Sequence, residues 1–454
     1  MTVQDFIKYY KTGHGRAVCA LQSITDKEPY RKAFFECVKE QDDFHPTYEY
    51  IITLAKMLLS KETTREFVDI IFQKASLQQF FHYSLVEAML EFSPREEVIT
   101  FIESEYDKSF KDQLNCALET ASKYLNSKYI STFTAIANLL GDNDDRLKAL
   151  IKDVAALYEV NKDLRPIPIL RLKHILRNNE ERFSRLFDEA LGDNPLYEEM
   201  LAIIDEDYSE PQKREYKTVE DYIKGTNDDY FHAVESFSEE DAEIVKKVAE
   251  IAIDQNSEHR VAALTLFLDE SKYHDDVEEY KHRSFPLDSK YLIDIIEKYK
   301  HLYSPEPETP LDGCWAFVAL NVLKDIKEKS AKEYCIAISK DESLCEMMRC
   351  NAIETFDVNY DPSDAELLKE HYKYCNYSVL FLLERFANHG VKDAPYELCL
   401  DAYENAKHSW DRNLAVTVMS KLDMLTPEMI NECLYDECKN IRDIANDLLK
   451  KEKK

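Results

Sequence analysis

The sequence predicts an all-α fold, a right-handed solenoid of antiparallel helical hairpins. Three observations lead there. Glycine is scarce, with 7 in 454 residues, at 13, 15, 141, 192, 225, 313 and 390. Apolar residues recur at three- and four-residue steps, as in Val98, Phe101, Ile102 and Tyr106, or Leu292, Ile293, Ile296 and Tyr299. Breakers cut the chain into segments of mostly about 10 to 20 residues. They fall at Pro29, Asp43 to Pro46, Pro94, Gly141 to Asp145, Pro166, Pro168, Pro195, Pro211, Gly225, Pro286, Pro305 to Pro310, Pro362, Gly390, Pro395 and Pro427. Short helices with short links make antiparallel neighbours, and a long run of hairpins stacks rather than closing into one bundle. At about 35–45 residues per repeat the chain holds roughly ten.

The chain opens with an amphipathic helix carrying Phe6, Ile7 and Tyr10, and a second carrying Ala17, Cys19, Ala20 and Leu21. Gly13-His14-Gly15-Arg16 between them reads as a tight helix–helix turn. A phosphate-binding nest, with His14 and Arg16 as anion partners, is the alternative there. Further along, Arg-x-x-Ala recurs at Arg146/Ala149, Arg260/Ala263, Arg349/Ala352, Arg412/Ala415 and Arg442/Ala445. With 17 Arg and 33 Ala, random placement gives about 1.2 matches, so five mark a repeat. The last two arginines are 30 residues apart and the pair before them 63, about two periods. The missing copy falls at Tyr377 to Leu383, and Trp315 to Leu320 takes the equivalent place one period before Arg349. A small Ala lets helices approach closely, while the Arg stem covers a neighbour and its head reaches a carboxylate. By repeat character and charge the chain divides into 1–165, 166–285 and 286–454.

These residues resemble the short HEAT-like repeats of bacteria, the class also seen in phycobilin-lyase-type proteins. The likeness is best over about 310–451. Tyr30-Arg31-Lys32-Ala33 followed by His45-Pro46-Thr47-Tyr48 resembles the opening of HEAT-repeat proteins of low-GC Gram-positive bacteria. The resemblance implies a fold and leaves function open, because such solenoids serve unrelated roles.

Charge and motifs exclude several function classes. There is no G-x-G-x-x-G, no G-x-x-x-x-G-K and no G-x-S-x-G, so nothing points to a dinucleotide fold, a P-loop NTPase or a hydrolase elbow. The formal charge is −30, and residues 188–279 hold 28 Asp/Glu against 8 Lys/Arg. That field repels duplex DNA and anionic lipid. It is a solvated surface or a docking face for a basic partner. DNA glycosylases on HEAT-like repeats hold a duplex on a basic surface, which this balance opposes. No C-x-x-C, H-E-x-x-H or EF-hand loop occurs, so no metal, no cofactor and no catalytic residue are expected. His371 and Cys375, one helical turn apart, lack a second ligand pair. The opening stretch shows no signal pattern, no run of 18 apolar residues exists, and the eleven cysteines show no framework. A cytoplasmic protein with reduced thiols and no membrane contact is expected.

One constellation stands out. Residues 165–185 carry Arg165, Arg171, Lys173, Arg177, Arg182 and Arg185 against Glu180 and Glu181. On a continuous helix Arg171, His174, Arg182 and Arg185 fall in a polar stripe about 80° wide, beside an apolar face of Leu172, Ile175, Leu176, Phe183, Leu186 and Phe187. Asn178-Asn179 threatens that continuity. The stripe either binds an anion or acidic segment, or pairs internally with Glu198, Glu199, Asp205 and Asp207. The function expected is a non-catalytic scaffold that binds another protein or a peptide on a concave surface. A nucleic-acid-linked role on the basic patch and a lyase-like enzyme are the alternatives, the latter requiring a closed apolar pocket with convergent polar groups.

Overall fold

A computed structural model describes residues 1–40, 46–78, 83–119, 127–141, 143–162, 164, 166–176, 179–206, 242–268, 284–305 and 309–452. Among them every regular element is a helix, so the fold is all-α. None of these helices is long and apolar enough to cross a membrane. The chain forms two compact units, Met1–Gln212 with Pro427–Lys454, and Lys213–Thr426.

The first unit begins with α1 (Val3–Lys11), α2 (Arg16–Ser23), α3 (Glu28–Glu40), α4 (Tyr48–Leu58), α5 (Thr64–Leu77) and α6 (Tyr83–Phe92). It continues through α7 (Arg95–Glu119), α8 (Ser127–Leu139), α9 (Asp144–Val160), α10 (Ile167–Ile175), α11 (Glu180–Leu191) and α12 (Tyr197–Glu206). The second unit holds α13 (Ala242–Ile253), α14 (Arg260–Thr265), α15 (Lys290–Tyr299), α16 (Leu311–Leu323), α17 (Lys329–Lys340) and α18 (Glu346–Ile353). Then come α19 (Phe356–Asn359), α20 (Ala365–Tyr372), α21 (Asn376–Asn388), α22 (Glu397–Asn405) and α23 (Ser409–Lys421). The chain ends with α24 (Pro427–Cys433) and α25 (Lys439–Glu452), which pack in the first unit although they adjoin the second in sequence.

Side-chain caps set several helix starts. Thr2 and Asp5 form a reciprocal capping box on α1, Asn143 accepts from the Arg146 amide at 3.0 Å on α9, and Asn179 from the Arg182 amide at 3.1 Å on α11. In the first unit α1, α3 and α5 pack in succession, and α2, α4 and α6 do the same beside them. Aromatic rings tie the layers: Tyr10 meets Phe34 at 5.8 Å, Phe34 meets Phe67 at 5.6 Å, and Phe67 meets Phe92 at 5.3 Å. In the second unit α14, α16, α18, α21 and α23 pack in succession, each also against the helix before it in its own hairpin. Buried Trp315 on α16 donates its indole N–H to the Ala252 carbonyl at 2.8 Å, closing one such layer.

The Arg-x-x-Ala motif has a physical explanation in these contacts. Ala263, Ala352, Ala415 and Ala445 are at most 1% exposed, where close helix approach needs a small side chain. Ala149 is the half-buried exception. The arginines reach back or across. Arg260 donates to the Ser257 carbonyl and to Asp312, Arg349 to the Ser339 carbonyl, and Arg442 to the Asp436 and Glu437 carbonyls and to Glu49. Arg146 pairs with Glu103 and lies over the Tyr106 ring, and Arg412 is fully buried. The heads of Arg146, Arg260, Arg349 and Arg442 therefore close a turn or a neighbouring helix while their stems fill the layer.

Candidate functional site

The helix expected to carry the basic stripe is broken. α10 ends at Ile175 and α11 starts at Glu180, with Asn179 as its N-cap, while Arg177 and Asn178, like Arg165, lie outside the described residues. An Asn cap ends one helix register and begins another, so the 100° steps do not carry across. Arg171 and His174 stay on α10, exposed and without an ion pair among the described residues. Arg182 and Arg185 converge from α11 on one carboxylate of α9. Arg182 holds Asp144 Oδ1 through Nε at 3.0 Å and Nη2 at 2.6 Å, and Arg185 Nη2 holds Oδ2 at 2.6 Å. The hydrogen bonds from Arg182, then Arg185, hold the Asp144 carboxyl below its ordinary pKa.

The pair's partner is thus upstream, where the sequence pointed downstream. Glu199 instead accepts from Tyr158 at 2.7 Å and Lys162 at 2.6 Å. Asp207 and half of the acidic stretch lie outside the described residues. Beside Asp144 runs a groove of about 480 Å³, open to solvent, lined by Arg95, Ile99, Leu139, Leu140, Asn143, Asp144 and Asp145. It is not the closed apolar pocket that a lyase-like reading calls for.

The Gly13-His14-Gly15-Arg16 turn also finds its anion within the chain. Arg16 grips both oxygens of Glu432, through Nε at 2.7 Å and Nη2 at 2.9 Å. The Glu437 amide donates to the Gly13 carbonyl at 2.9 Å, and the Glu437 carboxylate accepts from the Thr47 amide at 3.0 Å. Gly13 has φ +65°, and Gly15 lies so close to the Glu432 carbonyl that a Cβ would overlap it. Turn, not phosphate nest, describes this segment.

A row of exposed apolar side chains escaped the sequence reading. Met347, Tyr377 and Trp410 each occupy the second position of a helix, on α18, α21 and α23, and are 44%, 53% and 68% exposed. Those three helices pack in succession. Tyr374, just before α21, is also exposed and lies under the Arg349 guanidinium at 5.8 Å. The signal was present: each row residue stands two before Arg349, Val379 or Arg412. Five residues further in, the same helices bury Ala352, Leu382 and Ala415.

The cysteines hold a correction. Cys350 and Cys375 are joined as a disulfide, while the other nine carry free thiols. The expectation of uniformly reduced cysteines rested on spacing, and a bridge between neighbouring helices leaves no spacing signature. His371 is buried, with Nε2 3.2 Å from Ser339 Oγ and Nδ1 without a hydrogen-bond partner. Burial lowers its pKa. The chain matches no protein-family model and no curated protein sequence.

Proposed function

We propose that this chain is a right-handed solenoid of HEAT-like repeats that works in the cytoplasm as a non-catalytic scaffold, binding another protein or a peptide. The observation that carries the reading is the row Met347, Tyr377 and Trp410. Large apolar side chains in solvent are ordinary singly, but a row in repeat register on successively packed helices is a docking edge. Aromatic anchors of this type carry much of the binding energy in protein interfaces. The repeat packing and the arginine contacts that close each turn support a rigid frame beneath the row. Nine free thiols favour a reducing compartment. Co-isolation from native cytosol tests the proposal. The wild-type chain retains a specific partner, and Met347→Ala/Tyr377→Ala/Trp410→Ala, folded to the same melting temperature, loses it. Equal recovery by both chains removes the row as the docking edge.

A further inference from the structure

We infer that Cys350 and Cys375 form a reversible redox-modification site, oxidised by a peroxide-class oxidant and reopened by a dithiol reductant, which ties α18 to the start of α21. Position and surroundings set this pair apart. Cys375 is the N-cap of α21, a 13-residue helix, and makes no side-chain cap hydrogen bond. The unpaired N–H groups at a helix start favour a thiolate over a thiol. His371 lies one turn upstream, its carbonyl accepting from the Cys375 amide at 2.9 Å. Ser339 donates its hydroxyl to the Ile336 carbonyl at 2.8 Å, so the His371 ring meets Ser339 Oγ with Nε2–H as donor. Nδ1 then keeps a lone pair, buried and without a hydrogen-bond partner.

The free thiols differ. Burial pushes Cys335 and Cys399 up to about 12 and Cys19 up to about 11, which holds these three as protonated thiols. Cys350 is half-buried, open enough for a reductant, whereas Cys375 is 4% exposed.

The chemistry balances in both directions. In the reduced protein the Cys375 thiolate attacks a peroxide oxygen, the O–O bond breaks, and water leaves with a sulfenic acid on Cys375. The Cys350 thiol then attacks that sulfur, a second water leaves, and the S–S bond forms. Two electrons pass from the two sulfurs to the peroxide. In reverse, one thiolate of a dithiol attacks the Cys350 sulfur and expels the Cys375 thiolate. Its second thiol resolves the mixed disulfide, leaving two cysteine thiols and an oxidised dithiol. The bridge spans 25 residues and lies between Met347 and Tyr377, so oxidation fixes two members of the apolar row relative to each other.

The test uses the full chain, reduced with dithiothreitol, freed of reductant, and treated with one equivalent of hydrogen peroxide. Alkylation and peptide mapping are expected to find Cys350–Cys375 as the first bridge, reopened by dithiothreitol in the folded protein. Amide exchange over 346–353 and 376–388 should be at least tenfold faster in the reduced form. Cys350→Ser should trap a dimedone-reactive sulfenic acid on Cys375, and His371→Gln should slow bridge formation at least fivefold while leaving exchange in the reduced form unchanged. The inference is overturned if the two sulfurs stay as thiols under peroxide, if the bridge resists dithiothreitol in the folded chain, or if exchange is the same in both states. No dimedone adduct, or an unchanged rate in the His371 variant, overturns the assignment of Cys375 as the attacking sulfur.

Discussion

The position two residues before the motif arginine is treated differently in the two units. On α9 it is Asp144, held between Arg182 and Arg185 of α11, and on α25 it is the exposed polar Asn440. In the second unit it is the exposed Glu258 before Arg260, but on α18, α21 (where Val379 replaces the arginine) and α23 it is Met347, Tyr377 and Trp410, all facing solvent. Five residues on, both units bury the same kind of helix-facing residue, such as Ala352, Ala415 and Ala445. The inner frame is thus shared while the outer edge varies. In the first unit ion pairs close that edge at Asp144, while at Asn440 it is polar and exposed. On α18, α21 and α23 of the second unit the edge is left apolar and open. Packing fixes where these positions lie and does not fix what occupies them.

The largest expected effect is in the first unit. Gly15→Val places side-chain atoms against the Glu432 backbone carbonyl, which cannot move without shifting α24. Overpacking of this type costs about 3 kcal/mol or more when the obstacle is backbone. Amide exchange should rise over 3–23 and 427–452, with the second unit unchanged. Unaltered protection at both ends of the chain would contradict the close approach of Gly15 to Glu432.

What was legible in the sequence follows the same split. Helical period and the Arg-x-x-Ala repeat gave the all-α class and four deeply buried alanines, because both depend on residues a turn or a repeat apart. The Arg16–Glu432 contact joins residues more than 400 apart, and Glu432 is one carboxylate among 88 Asp/Glu. Asp144 as the partner of Arg182 and Arg185 was hidden for a related reason. Charge counting looked downstream to the denser acidic run, whereas packing of α9 against α11 decides the pair. The Met347–Tyr377–Trp410 row was written in the repeat register but becomes visible only when burial separates the inner position from the outer.

Two pH responses sharpen the comparison. In the second unit His371 lies below its usual 6.5, chiefly through desolvation, with Lys340 and Arg349 adding to the shift and Glu370 opposing it. The unfolded chain takes up a proton as pH falls through about 6.5 and the folded one does not. Stability from this group is therefore complete above that pH and declines below it. Between pH 7.5 and 5.5 the second unit should lose melting temperature in the wild type and lose less in His371→Asn. In the first unit the Asp144 carboxyl lies below its ordinary value, so its contribution is present above about 4 and is lost as pH falls further. Its response should be confined to acid pH and absent from Asp144→Asn.

Smaller still is Arg182→Glu, which removes a partly exposed pair and sets a like charge beside Asp144. A drop of about 2 °C is expected in the first unit, since such pairs are weak. No drop at all would mean that the seal at α9 and α11 is held by the apolar face alone. Smallest is Tyr377→Ser or Trp410→Ser, which should change stability by less than about 0.5 kcal/mol, because an exposed side chain has little folding energy to lose.

The central claim is that the apolar edge on α18, α21 and α23 is a docking surface and its polar counterpart in the first unit is not. Site-specific photocrosslinking in native cytosol tests it most directly, with a photoreactive phenylalanine analogue placed in turn at 347, 377, 410 and 440. The account predicts one shared crosslinked partner from Met347, Tyr377 and Trp410 and none from Asn440. The same adducts from Asn440, or none from the three row positions, would contradict it.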